Sequence, residues 1–309
     1  MARCVFLEDW WMEAATAGAW SAVSVERDGK VEGWLPYGLS RNMGFSYCGV
    51  PTLTRLLFPV LDVSASKRET LNRQRFQLES DLISRLPKAS SYEFVLPPDH
   101  GNALAWQALG FDARVQHTFV IDPGVSVADQ WQQCNSKTRN VIRRAEEELT
   151  TQTLTADAFA EAYGRNLGAA VTSDHVANAC RIVAAAIAGS QGGAVGAVDG
   201  NGRIHAAVTF VWDHQDFYYY LSTRNVGHAM PGAVGMLVWS GIKDAAARGL
   251  RFDFDGVSSR NRLHFLQSFG GRLASRIVVS RDSPAFEARK LIRRIRRQFA
   301  ASSPVERFY

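Results

Sequence analysis

The stretch LRFDFDGVSSRNRLHFLQSFGG, Leu250–Gly271, decides the fold, because the chain carries a second version of it, YEFVLPPDHGNALAWQALGF, Tyr92–Phe111. Each version opens on a short strand-like run, crosses a polar break and enters a short helix. Each helix starts near an Asn (Asn102, Asn261), has Leu two residues later (Leu104, Leu263) and ends in a glycine (Gly110, Gly270) that leads to a further strand. Asn suits a helix start because its side-chain oxygen takes a free N–H of the first turn. Glycine suits the exit because it accepts a left-handed backbone.

Outward from these two stretches the elements repeat in order. The first half has a helix over Leu7–Ala17. It is followed by the hairpin AWSAVSVE (19–26) and VEGWLPYGLSR (31–41), turning on Arg27-Asp28-Gly29-Lys30. The second half has GAVGAVD (193–199) and RIHAAVTFVWD (203–213), turning on Asp199-Gly200-Asn201-Gly202, then DFYYYLST (216–223). Asp-Gly between alternating strands is a strong hairpin signal. Pro36 predicts a bulge or a free edge in the first return strand. A long helix follows each hairpin. One is capped at Ser66 with Glu69 three residues on and stopped by Pro87; the other runs from Pro231 to Arg248 and stops at Gly249. A basic helix over Ser136–Leu149 joins the halves, helical patterns continue over Ala156–Ala188, and a basic helix over Ala285–Ala300 ends the pattern. The expectation is an α/β chain, a mixed sheet with flanking helices, in two tandem domains of residues 1–135 and 136–309.

The 309 residues are 46% hydrophobic and 21% charged, the balance of a globular chain with a real core. The start carries Glu8 and Asp9 where a secretory signal has basic residues. RIVAAAIAG (181–189) is far short of a membrane span. The expected location is the cytoplasm, with peripheral contact at the inner membrane face. Cys4, Cys48, Cys134 and Cys180 are widely spaced with no ligand pattern, so neither a metal nor a disulfide is expected. The net charge of +5 favours anionic ligands: nucleotide phosphates, RNA or an anionic membrane. No nucleophile triad, phosphate-binding P-loop or zinc-protease signature occurs.

The pattern of Asn102, Ala105 and Gly110-Phe111 resembles the GNAT superfamily of N-acetyltransferases. The tandem arrangement resembles the FemAB-like group, as do NSKTRNVIRRAEEE (135–148), GNGRIHAAVTFVWDHQDFYYYLST (200–223) and GLRFDFDGVSSRNRLHFLQSFGG (249–271). The resemblance covers about Trp11 to Ser280 and implies two tandem GNAT-like domains. It also implies acyl or aminoacyl transfer to an amine. Two positions depart from the group: Leu266 replaces its usual Lys, and Asp255 its usual Gly.

Four sets of residues are candidates for the chemistry. Arg224, Gly227 and Ala229 resemble a pyrophosphate-binding loop ahead of a helix start, where free N–H groups and the helix dipole favour an anion. Lys137, Arg139, Arg143 and Arg144 lie in neighbouring rows of the basic helix and suit phosphates; exposed ion pairs with Glu147 and Glu148 explain the last two equally well. Asp253 and Asp255 share one face of their strand, opposite Phe252 and Phe254, and either carboxylate, or His264, is a candidate base for the amine proton. Tyr218 and Tyr220 share a face, and the Tyr220 hydroxyl is a candidate donor to a leaving thiolate or oxyanion. Structural roles for these side chains stay open at this stage. The expected cosubstrate is acyl-CoA, with aminoacyl-tRNA as the alternative. The expected acceptor is a small-molecule or lipid-linked amine in envelope or polysaccharide metabolism. A non-catalytic scaffold is the third reading, and the oligomeric state stays open.

Overall fold

The computed structural model describes residues 4–167, 173–225, 227–228, 230–257 and 259–302. The first half runs α1 (Asp9–Thr16), β1 (Trp20–Arg27), β2 (Lys30–Asn42), β3 (Phe45–Gly49), β4 (Val60–Leu61), α2 (Arg68–Ser84), β5 (Ser91–Leu96), α3 (Leu104–Ala108) and β6 (Asp112–Ile121). Then come α4 (Val127–Gln133), α5 (Ser136–Glu148), β7 (Thr150–Leu154), α6 (Ala156–Leu167) and α7 (Ser173–Ala188). The second half continues with β8 (Gly192–Val198), β9 (Ile204–Trp212), β10 (Asp216–Arg224), α8 (Ala233–Arg248), β11 (Arg251–Asp253), α9 (Arg260–Gln267), β12 (Arg272–Asp282) and α10 (Pro284–Ser302).

The expected repeat is present. In each half an antiparallel meander leads through a helix to a strand parallel to its last member: β1–β2–β3 through α2 to β5, and β8–β9–β10 through α8 to β11. A short helix then leads to a closing strand, β6 or β12. The closing strands are exchanged between the halves. The sheet order is β1-β2-β3-β5-β12-β6-β11-β10-β9-β8-β7, with β4 on β2. Thus β12 pairs antiparallel with β5, and β6 with β11, while β6 and β12 pair with each other over Asp112–Val120 and Arg272–Ser280. Both halves share one continuous mixed sheet.

Alternation along β10 sets the two cores. Phe217 and Tyr219 join the cluster under α8 and α5, with Phe210, Phe252, Phe254 and Phe269. Tyr218 and Tyr220 join the cluster under α1, α6 and α7, which continues into the first half through Trp11, Leu35, Phe94 and Val278. Leu266, which departs from the Lys that the resemblance led one to expect, is fully buried in the first of these clusters.

Local signals held in part. Asp28 and Gly29 take φ of 51° and 73°, the doubly left-handed turn that Asp-Gly favours. The β1–β2 bulge falls between Val25 and Glu26, away from Pro36. Pro36 lies instead where the other edge of β2 is free, between its pairings with β4 and β3. Asn102 Oδ1 accepts the Leu104 N–H at 3.0 Å. Its counterpart Asn261 is not the cap of α9; Ser259 is, accepting the Arg262 N–H at 3.2 Å. Ser66 does not cap α2, which starts after Lys67 without a side-chain cap. Strands β3 and β7 lie in stretches that carry no strand alternation. Among the described residues no helix is long and apolar enough to cross a membrane.

The second hairpin turn is held by Asp199. Its Oδ1 accepts the N–H groups of Asn201 (2.9 Å) and Arg203 (3.0 Å), and Oδ2 lies 2.9 Å from His205 Nε2. The His205 hydrogen bond first, and then these N–H groups, lower its pKa to about 2. An unfolded Asp titrates near pH 4, so this support is complete above that value and is lost as pH falls toward 2. An NMR titration of the Asp199 carboxyl should show a midpoint near 2, and Asp199→Ala should flatten the stability profile in that window.

Candidate active site

β10 and β11 run parallel through Asp216↔Arg251, Phe217↔Phe252 and Tyr218↔Asp253, and then part. The cause is local. Asp253 Oδ1 accepts the Asp255 N–H at 2.8 Å and the Thr118 hydroxyl at 2.7 Å, while Thr118 Oγ1 accepts the Gly256 N–H at 3.0 Å. These bonds turn the chain out of the strand and hold Asp255 at φ 61°. Asp is among the few side chains that tolerate this left-handed backbone. β10 meanwhile continues to Arg224, with a register shift against β9 between Tyr219 and Leu221. Beyond Tyr218 the two strands are no longer paired, which leaves a gap in the ladder between them.

Charge fills the base of the gap. Arg276 from β12 is 2% exposed; its Nη2 donates to Asp253 Oδ2 at 2.7 Å and its Nη1 to Asp255 Oδ1 at 3.4 Å. Arg55, from the segment after β3, places Nε 2.6 Å from Asp255 Oδ2 and donates from Nη2 to the Tyr220 carbonyl at 3.2 Å. Burial disfavours the Arg276 charge, but Asp253 and Asp255 hold it more strongly, so it stays a cation. Burial raises the Asp255 pKa above the ordinary carboxylate range, and Arg55 and Arg276 oppose the rise. Arg55, Asp255, Arg262 and Arg276 line a cavity of about 230 Å³ here, with Glu93, Arg114 and Gln116.

A larger cleft of about 770 Å³ opens on the α8 side. Lys137 and Thr138 enter it from the first turn of α5; Tyr219, Ser222 and Arg224 from β10; residues 230–235 from the start of α8; and Arg262 and Phe265 from α9. Among the described residues, the lining holds three cations and no carboxylate. α8 makes its first hydrogen bond from the Met236 N–H to the Gly232 carbonyl at 2.8 Å and has no side-chain cap, so the N–H groups of Val234 and Gly235 have no acceptor within the helix. Free N–H groups and the positive end of the dipole favour negative charge here. Gly232 permits the packing: at φ 92°, a Cβ there would sit 2.4 Å from the Val141 carbonyl oxygen of α5.

The cleft gathers some of the expected residues. Lys137 and Arg224 line it. Gly227 is exposed and its N–H is taken by Asn225 Oδ1 at 3.1 Å, while Ala229 lies outside the described residues. Arg139 turns back to Gln132 Oε1 at 3.0 Å, Arg143 stacks 5.5 Å from the Trp131 ring centre, and Arg144 is exposed; none of the three lines the cleft. Asp253 and Asp255 meet in the gap, but not by strand alternation: β11 ends at Asp253, and the turn beyond it, with Asp255 at φ 61°, brings the two carboxylates together. Tyr220 points to the opposite face, where it meets Trp11 at 5.3 Å and burial holds its hydroxyl protonated. Tyr219 faces the cleft instead; its hydroxyl donates to Ser222 Oγ at 2.6 Å, and burial raises its pKa too. His264 is exposed and bonds Gln267 at 3.2 Å rather than any cleft residue.

Sequence reasoning missed Arg262, Arg276 and Arg55. Arg262 lines both cavities and sits one helical turn before Leu266 on the same face, a spacing that could have found it. Arg276 stands in the row Ala274, Arg276, Val278, where a charge among buried apolar positions announces a buried partner. Arg55 had no signal, since its partners are about 165 and 200 residues away. Among the described residues no cluster of His, Cys, Asp or Glu is arranged to hold a metal ion. Removing Arg276 would leave two carboxylates buried together. Arg276→Met should therefore cost about 3–5 kcal/mol in urea unfolding, the usual loss when one partner of a buried ion pair goes. Gly232→Ala should cost at least about 1–2 kcal/mol for the left-handed backbone alone, before the clash with Val141.

Residues 136–260 match the acetyltransferase (GNAT) domain model. No curated protein matches the sequence. Among solved structures, FemX is similar at a TM-score of 0.65 and 13% identity, over 90% of this chain and 92% of that one. The C-terminal domain of a protein assigned as a lysylphosphatidylglycerol synthetase from Agrobacterium fabrum is similar at 0.54 and 13%, over 91% and 88%. A tandem GNAT protein from the clavulanic acid biosynthesis pathway is similar at 0.52 and 11%, over 85% and 83%. Residues 136–260 thus match an acetyltransferase (GNAT) domain, in a chain that shares its fold with FemX and with a tandem GNAT protein.

Proposed function

We propose that the protein is an N-acyltransferase that moves an acyl group from acyl-CoA to an amine, small or lipid-linked, in envelope or polysaccharide metabolism, and that it works in the cytoplasm. Residues 1–135 and 136–309 are, on this reading, its two repeat units. The observation that carries the proposal is the cleft at the start of α8: Lys137, Arg224 and Arg262 surround an uncapped helix end with no acid among them. Such a site suits the pyrophosphate of a nucleotide thioester.

Each residue then has a task. Lys137, Arg224 and the N–H groups of Val234 and Gly235 hold the donor phosphates. The β10–β11 gap receives the thioester, and the smaller cavity beside Asp255 receives the amine. Asp255 takes the ammonium proton, its raised pKa matching a base better than an ordinary carboxylate does. Asp253 positions Asp255 through the Asp255 N–H. The Tyr219–Ser222 hydroxyl pair, protonated throughout the physiological range, donates to the leaving thiolate. In this scheme Tyr219 takes the place given to Tyr220 from sequence, and His264 has no part.

A second reading is aminoacyl transfer from aminoacyl-tRNA. The same cationic cleft favours it, because a tRNA terminus also presents phosphates. Titration calorimetry separates the two. Acyl-CoA use predicts CoA binding that weakens roughly tenfold to a hundredfold in Lys137→Ala or Arg224→Ala, the range of one charge-assisted contact. No heat with CoA at millimolar concentration, together with steeply salt-dependent tRNA binding, would favour the second donor. Turnover in Asp255→Asn should fall about 10²–10⁴-fold and lose its acid limb, which in the parent should rise above the usual carboxylate range. Full turnover in that variant would remove Asp255 from the base role. No turnover in the parent on any amine would favour the scaffold reading.

A further inference from the structure

The positive charge of this chain is concentrated in one short segment. Arg289, Lys290, Arg293, Arg294, Arg296 and Arg297 are six cations within nine residues, and residues 288–302 contain no acid. The whole chain carries +5, so everything outside this segment sums to a single negative charge. In the sequence the cations are interspersed with Leu291, Ile292, Ile295 and Phe299, which recur at helical spacing.

The structure places this helix at the surface beside a second apolar point. α10 is anchored by its first turn, where Phe286 is buried against Phe45 and Tyr47, each at 5.3 Å. One turn on, Leu291 and Ile292 are 58% and 51% exposed. Arg289 of the same helix reaches the tip of the β2–β3 hairpin, 3.0 Å from the Met43 sulfur and 4.8 Å from the Phe45 ring centre. Met43 is 81% exposed, and the turn that holds it out is strained for its type. Met43 and Gly44 have φ of 49° and 80°, a doubly left-handed turn whose first position ordinarily takes Asn, Asp or Gly. A long apolar side chain is thus held in solvent at a position that disfavours it, next to an apolar, arginine-rich helix.

We propose that α10 and the β2–β3 tip form a docking surface for an anionic lipid bilayer, with Leu291, Ile292 and Met43 entering the headgroup boundary and the basic residues meeting lipid phosphates. The apolar residues decide for a bilayer over RNA. Phosphate contacts alone would explain the cations but would leave Leu291, Ile292 and Met43 in water. This surface lies outside the cleft residues, and the inference stands whichever donor the cleft takes.

The test is co-sedimentation of the full chain with vesicles of phosphatidylcholine alone and of phosphatidylcholine mixed with phosphatidylglycerol. The expected result is binding to the mixed vesicles only, weakening as salt rises. Leu291→Glu with Ile292→Glu should weaken it roughly tenfold or more, and Met43→Gln roughly threefold. Thermal midpoints and CoA titrations of these variants should match the parent, because the altered side chains are exposed and outside the cleft. Equal binding to neutral vesicles, binding indifferent to the glutamates, or tight RNA binding with no vesicle binding would overturn the proposal. A glutamate variant that lost CoA along with lipid would overturn the separation of this surface from the cleft.

Discussion

The structure depends on the ion cluster at the centre of its sheet. Arg276 comes from β12, Asp253 and Asp255 from β11 and the turn beyond it, Thr118 from β6, and Arg55 from the segment after β3. Buried charges are tolerated only when their partners are complete. This set joins the two halves: β6 lies between β12 and β11, so Thr118 stands between Arg276 and the carboxylates, and Arg55 reaches them from the first half. The same carboxylates end β11 early and open the gap beside β10.

The gap divides two environments. On the α8 side the walls are cations, backbone N–H groups and apolar carbons; on the other side Asp255 sits between two guanidinium groups. Arg262 lines both cavities and is the side chain that sees both. Pairing consecutive tyrosines with opposite faces is what assigns them. Tyr219 belongs to the cleft and Tyr220 to the core beneath α1, and one residue of register decides between them.

The two departures from the FemAB-like pattern acquire physical meaning. Asp255 keeps the left-handed backbone that glycine would supply and adds a carboxylate to the gap. Leu266 is part of the core, while Arg262, one turn earlier on α9, lines both cavities.

Much of the fold was legible in the chain itself. Asp28-Gly29 and Asp199-Gly200 set hairpins, Gly110 and Gly270 end helices, and alternation places Tyr218 with Tyr220, because these preferences act over a few residues. The duplication, and the cations Lys137 and Arg224 at the ends of their elements, were readable for the same reason. Caps at Ser66 and Asn261 were misjudged: α2 starts without any side-chain cap, and at α9 Ser259, two residues earlier, takes the role. Strand exchange, the arrival of Arg55 and Arg276, and the choice of Tyr219 over Tyr220 were decided only by tertiary structure. Local pattern fixes which face a side chain takes, but only long-range pairing fixes what that face meets.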